Sequence, residues 1–92
     1  MMTEWEKAQA GFMYDANYDK EIVEARTRCA DLCYAFNQCL PSDTEKQDQL
    51  LHQILGQIKG KPVVTAPFYC DYGFNISVGE NFYTNHNCTI LD

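Results

Sequence analysis

Between Val64 and Cys88 the chain repeats itself every six residues. Val64, Cys70, Ile76, Phe82 and Cys88 are each six apart. Asn75, Asn81 and Asn87 keep the same interval, and so do Gly73 and Gly79. A helix repeats at about 3.6 residues and a flat strand at 2, so neither explains this pattern. Local alternation exists, as in Ile76 with Val78 and Phe82 with Thr84, but Gly and Asn interrupt it regularly. Those two residue types tolerate left-handed backbone and mark turns. A short strand and a turn, repeated every six residues, suit a triangular parallel β-helix with one residue per face pointing to the axis. The expectation is that Val64, Cys70, Ile76, Phe82 and Cys88 point to one axis and that Asn75, Asn81 and Asn87 sit at corners. Three faces make one turn, so residues 64–92 supply fewer than two turns. Solenoids need roughly three repeats to bury their faces. The end, "TILD", carries no capping helix and leaves Ile90 and Leu91 at the edge, so the reading is of a coil apparently truncated.

Residues 1–60 follow another grammar, that of helices. Thr3 and Glu6 have capping-box spacing, and Gly11 is a stop. "FMYDANY" is a connection. Asp19 caps a second helix running to about Cys39, with Ile22, Cys29, Cys33, Phe36 and Leu40 on one stripe beside Ala25 and Leu32. Pro41 breaks it, and Ser42 with Glu45 opens a third helix whose face is Leu50, Leu51, Ile54, Leu55 and Ile58. Gly60 and Pro62 end it. The organisation expected is a helical segment over 1–60 and a coil over 61–92, an α+β chain.

Composition narrows the function classes. Ninety-two residues, 46% of them hydrophobic, allow one small domain or a piece of a larger one, and exclude a disordered tail. A net charge of −6 argues against nucleic acid, whose binders show a basic face. No apolar run is long enough for a bilayer, and the charged start is no signal peptide. The expectation is therefore no membrane and a cytoplasmic location. Five cysteines, an odd number without C-x-x-C spacing, do not suggest a disulfide framework there. Cys29 and Cys33 stand one helical turn apart and could share a metal. The favoured reading is of buried small apolar side chains, so no metal is expected. The sequons at Asn75 and Asn87 carry little weight without secretion.

Three stretches, "AGFMYD", "EARTRCADLCYAFNQCLPSD" and "PFYCDYGFNISVGENFYTNHNCTILD", resemble the maltose and galactoside O-acetyltransferases. The block "CDYGFNISVGENFYTNHN" is the most specific for the family and says little about the sugar. The resemblance implies a helical N-terminal segment beside a left-handed parallel β-helix. It also implies a homotrimer in which acetyl-CoA and a sugar acceptor meet in clefts between subunits. A His would act as general base on the acceptor hydroxyl, and a donor near the developing oxyanion would lower the barrier. Carried over by position, Asn85 in "FYTNHN" contacts the acceptor or the tetrahedral species. Asp71 in "CDYG" faces the acceptor, and Asp15 in "MYD" lies near the segment that closes over it. Tyr83 reads as a wall of packing. The family's catalytic His and most of its acetyl-CoA site are expected past residue 92. His86 adjoins Asn85, but successive residues on a strand point to opposite sides, so it is not read as a substitute. His52 reads as a surface residue.

The first reading is thus the N-terminal portion of an acetyl-CoA-dependent sugar O-acetyltransferase, carrying part of the acceptor site. The chain alone would be inactive. The alternative is a non-catalytic truncated product or an interaction module that joins intact acetyltransferases through its exposed coil edge. A cysteine-based metal or redox protein ranks last.

Overall fold

The computed structural model describes residues 3–11 and 18–92. Within them three helices precede six short strands: α1 (Glu4–Gln9), α2 (Lys20–Asn37), α3 (Thr44–Ile54), β1 (Gln57–Ile58), β2 (Val63–Val64), β3 (Phe68–Cys70), β4 (Ser77–Val78), β5 (Tyr83–Thr84) and β6 (Cys88–Ile90). No helix among the described residues is long and apolar enough to cross a membrane.

Local chemistry sets the helix starts. Thr3 and Glu6 form the reciprocal capping box, and Gly11 follows α1 with φ +84. The Asp19 carboxylate accepts from the Ile22 amide at 3.1 Å, which satisfies one of the donors a helix start leaves orphaned. Ile22, Cys29, Cys33 and Phe36 of α2 are buried as the stripe requires. Leu40 is not: the helix has ended at Asn37, and Leu40 is 71% exposed. The third helix is capped by Asp43 instead of Ser42, the Asp43 carboxylate accepting from the Lys46 amide at 3.2 Å.

That third helix also stops sooner than its apolar pattern. Leu55 is already extended, and Ile58 lies in β1, paired with Val78 of β4. The reason is tertiary. The Gly56 amide donates to the carbonyls of Gly73 and Ile76, at 3.2 and 2.9 Å. A Cβ at Gly56 would collide with the Phe74 carbonyl. The backbone of the next coil therefore claims this segment before another helical turn can form.

The strands wind as a coil of three faces. β1 pairs with β4, β2 with β5 and β3 with β6, all parallel. Gln57 stands against Ser77, Val63 against Tyr83 and Phe68 against Cys88, so every partner lies 20 residues further along the chain. Three six-residue faces would give 18. The excess sits in one corner. Ile58, Val64 and Cys70 follow each other at six, Val78 comes eight later, and Thr84 and Ile90 resume the interval.

This corrects the expectation of one inward residue per face, because each face turns two inward. Ile58, Val64 and Cys70 lie under Val78, Thr84 and Ile90. Phe68 lies under Cys88, while Ile76 and Phe82 precede β4 and β5 in the equivalent place. Val64, Cys70, Ile76, Phe82 and Cys88 all belong to or pack on the core. The series nevertheless crosses from one inward position to the other at the long corner. A step of six in sequence hid a shift of two in register. Outward-facing Val63, Tyr69, Ser77, Tyr83 and Thr89 are exposed.

Asn81 and Asn87 occupy corners with φ near +60. In the long corner Gly73 takes the left-handed conformation, at φ +85, and Asn75 lies in the turn after it. A side chain at Gly73 would strike the Ile54 carbonyl.

Helices and coil share one core, with Cys29, Cys33 and Phe36 from α2, Leu51 and Ile54 from α3, and Val64, Phe68, Ile76 and Val78 from the coil. Asn37 locks the joint. Its Nδ2 donates to the Phe68 carbonyl at 3.1 Å and its Oδ1 accepts from the Phe68 amide at 2.8 Å.

Candidate functional site

Asn85, His86 and Asn87 form the corner between β5 and β6, stacked on Thr65–Pro67 of the coil below. The Asn87 amide donates to the Pro67 carbonyl at 3.0 Å. His86 Nδ1 lies 2.9 Å from the Ala66 carbonyl. A carbonyl only accepts, so it is Nδ1 that carries a proton and donates in this contact. The Asn85 Oδ1 accepts from the His86 amide at 2.8 Å. That contact turns the Asn85 amide so that its Nδ2, unbonded among the described residues, is the group offered outward from an exposed corner. An NH2 group held this way can donate to an oxyanion or a hydroxyl oxygen with no proton transfer.

Asp71 lies elsewhere. It follows β3 directly, is half-buried, and makes no hydrogen bond among the described residues. It opens the long corner between β3 and β4, whereas Asn85 opens the corner before β6. The β3/β6 face separates the two, so one chain does not bring Asp71 and Asn85 together. Asp15 lies outside the described residues. Tyr83 faces outward and is 63% exposed, so it is no packed wall within the chain. His52 is exposed on α3.

Beside Asp71 the structure builds a feature that no local pattern announces. Asp92 reaches back across one coil: its carboxylate accepts from the Tyr72 and Asn75 amides at 2.9 and 3.2 Å, and its carbonyl accepts from Asn75 Nδ2 at 3.1 Å. Trp5 of α1 meets Tyr72 and Phe74 edge-on at 4.8 and 5.2 Å. A groove of about 400 Å³ runs between them, lined by Trp5, Ala8, Gln9, Tyr72, Asn75 and Asp92. It mixes aromatic faces with amide and carboxylate oxygens. The contacts that shape it join residues 17 and more apart, which is why sequence reading missed Trp5 and Asp92.

The thiols of Cys29, Cys33 and Cys70 converge under the helical segment, with the first two buried and Cys70 half-buried. Hydrogen bonding from Cys29 and then Cys70 pulls the Cys33 thiol down to about 3. Hydrogen bonding to Cys33 pushes Cys29 up to about 12, with burial adding to it. Hydrogen bonding to Cys29 and Cys33, together with burial, raises Cys70. The opposed directions come from the three thiols hydrogen-bonding one another in a partly buried cluster. These three are the group among the described residues whose side chains could hold a metal ion.

Comparison with known proteins identifies the architecture. The family model of the maltose acetyltransferase hexapeptide capping motif matches residues 7–60. A Staphylococcus haemolyticus protein that carries an acetyltransferase name is 41% identical over 91 residues, which is 99% of this chain and 47% of that protein. The crystal structure of a maltose O-acetyltransferase from Clostridium difficile superimposes with a TM-score of 0.95 at 42% identity, covering 99% of this chain and 48% of that one. A galactoside acetyltransferase in complex with coenzyme A superimposes with a TM-score of 0.91 at 35% identity, covering 100% and 46%. The chain spans about half the length of the curated relatives it matches. With its capping helices and its coil both accounted for, the chain belongs to the maltose and galactoside acetyltransferase family of hexapeptide-repeat proteins.

Proposed function

We propose that this chain carries part of the acceptor side of an acetyl-CoA-dependent sugar O-acetyltransferase of the maltose and galactoside type. The observation that carries this is the Asn85 corner: an exposed side-chain amide, oriented by the His86 N–H, in a chain that overlays a maltose O-acetyltransferase along its length. The coenzyme A in the galactoside acetyltransferase complex supports acetyl-CoA as the donor.

The chemistry is direct transfer. The acceptor hydroxyl oxygen attacks the thioester carbonyl, its proton passes to a base, and the CoA thiolate leaves with the C–S bond electrons. Asn85 Nδ2 donates to the carbonyl oxygen as charge develops there, or holds the acceptor oxygen in line. Asp71 and Asp15 accept hydrogen bonds from sugar hydroxyls. The general base is a family His outside residues 1–92. His86 is not assigned that role: it forms part of the corner's stacking on Ala66, and the resemblance places the base elsewhere. In this proposal the coil is left-handed and the working form is a homotrimer. Asp71 and Asn85 open different corners of one coil, so a site that uses both is completed by a neighbouring subunit.

The test is steady-state kinetics on the full-length protein with acetyl-CoA and a panel of sugars. Asn85→Ala is expected to lower kcat/KM by about a hundredfold or more, the usual loss for one oxyanion donor, with an unchanged circular dichroism spectrum. Activity within about twofold of the parent would reduce Asn85 to a corner residue and sink the assignment.

A further inference from the structure

Cys29, Cys33 and Cys70 are brought together by two separate elements. Cys29 and Cys33 share one face of α2 at a spacing of four, so their side chains project the same way one turn apart. Cys70 ends β3, the strand against which α2 packs. Their sulfurs form a closed triangle, with Cys29 to Cys70 at 3.4 Å, Cys29 to Cys33 at 4.0 Å and Cys33 to Cys70 at 4.0 Å.

Those distances suit a metal centre. A cation bound to thiolates at about 2.3 Å places three sulfurs around it at about 4.0 Å from one another when the arrangement is trigonal. Two sides of the triangle have that length, and the third needs to open by a few tenths of an ångström. The donor set is all sulfur, which selects soft cations over Mg2+ or Ca2+. It holds no imidazole and no carboxylate. Zn2+ in a closed structural site takes four ligands, whereas Cu+ is satisfied by three sulfurs. Burial of Cys29 and Cys33 excludes competing water, and the half-buried Cys70 leaves one edge open for entry.

We infer that Cys29, Cys33 and Cys70 form a trigonal three-thiolate site for a soft cation, best suited to Cu+, which clamps α2 to the first coil. On binding, each thiol that joins the metal loses its proton to solvent, and no oxidant or reductant takes part. Small apolar packing accounts for the burial of the two helical cysteines. It does not account for a third sulfur arriving from the coil to close the triangle.

The test is an anaerobic titration of the reduced protein with Cu+, supplied in a chromogenic chelator, followed by thiolate-to-copper charge-transfer absorption and by the melting temperature. A Zn2+ titration runs in parallel. One Cu+ per chain is expected, with a rise in melting temperature and weaker uptake of Zn2+. Changes in the outer partners of metal ligands already cost about ten- to a hundredfold in affinity, so Cys70→Ala is expected to lose about a hundredfold or more. Cys29→Ser should lose as much, and Cys70→Ala covers the case in which the buried serine unfolds the chain. Cys88→Ser, outside the triangle, should bind like the parent. No charge-transfer band, or equal binding by Cys70→Ala, would overturn the site. Tighter binding of Zn2+ than of Cu+ would overturn the trigonal assignment.

Discussion

The helical segment and the coil are held by different kinds of interaction. α1, α2 and α3 each begin at a residue whose side chain accepts from an amide three positions on, at Thr3, Asp19 and Asp43. Those bonds are local, and each one serves its own helix. The coil has almost nothing local. Its strands are two or three residues long, and their partners lie 20 residues away. A helix here can lose one contact and remain a helix. A two-residue strand exists only because the neighbouring coil is in place, so a fault at a corner spreads through the whole turn.

This difference sets an order of expected effects. The largest belongs to the long corner. Gly73→Ala forces a left-handed backbone on a residue with a Cβ and drives that carbon into the Ile54 carbonyl. The sum is expected to be about 4 kcal/mol of destabilisation, measured by denaturant unfolding. Gly79→Ala, where a Cβ meets nothing within 4 Å, should change little. Equal effects at the two glycines would break the claim that the long corner is the coil's critical point.

A middle effect is expected where the two regions join. Asn37→Ala leaves the Phe68 amide and carbonyl without their side-chain partner. Each unmet backbone group costs about 1–3 kcal/mol, and because both contacts are only part-buried the low end applies, so a loss of about 2–3 kcal/mol is expected. Hydrogen exchange should show the loss concentrated in β3. An even loss of protection over α2 and α3 would instead make Asn37 a purely helical residue.

The smallest belongs to a local feature. Asp19→Ala removes one cap and is expected to cost about 1 kcal/mol. The loss should appear as fraying at the start of α2, with the coil's protection unchanged. A cost above that of Asn37→Ala would reverse the contrast between the two regions.

Legibility followed the same division. The caps at Thr3 and Asp19, the buried stripe of α2 and the inward lean of the six-residue series were readable because each depends on near neighbours. Ser42 and Asp43 are both good N-cap types, so local sequence does not choose between them, and only the folded backbone sets the Asp43 carboxylate against the Lys46 amide. Leu40 was placed on the stripe because periodicity carries no signal for a helix that ends three residues sooner.

The sequence by itself determined that a helical segment gives way to a six-residue repeat, and its resemblance pointed to the acetyltransferases. It also named Asn85 and Asp71 as residues to examine. Only the tertiary structure decided that Ile58 leaves the third helix for β1, since the competing hydrogen bonds come from Gly73 and Ile76. Only the tertiary structure put 20 residues in a coil, set Asp71 and Asn85 at different corners, and carried Cys70 to Cys29 across 41 positions. Hydrophobic spacing reports which way a side chain faces relative to its neighbours in the chain. It does not encode which distant backbone will be there to meet it, and every one of these outcomes depends on that meeting.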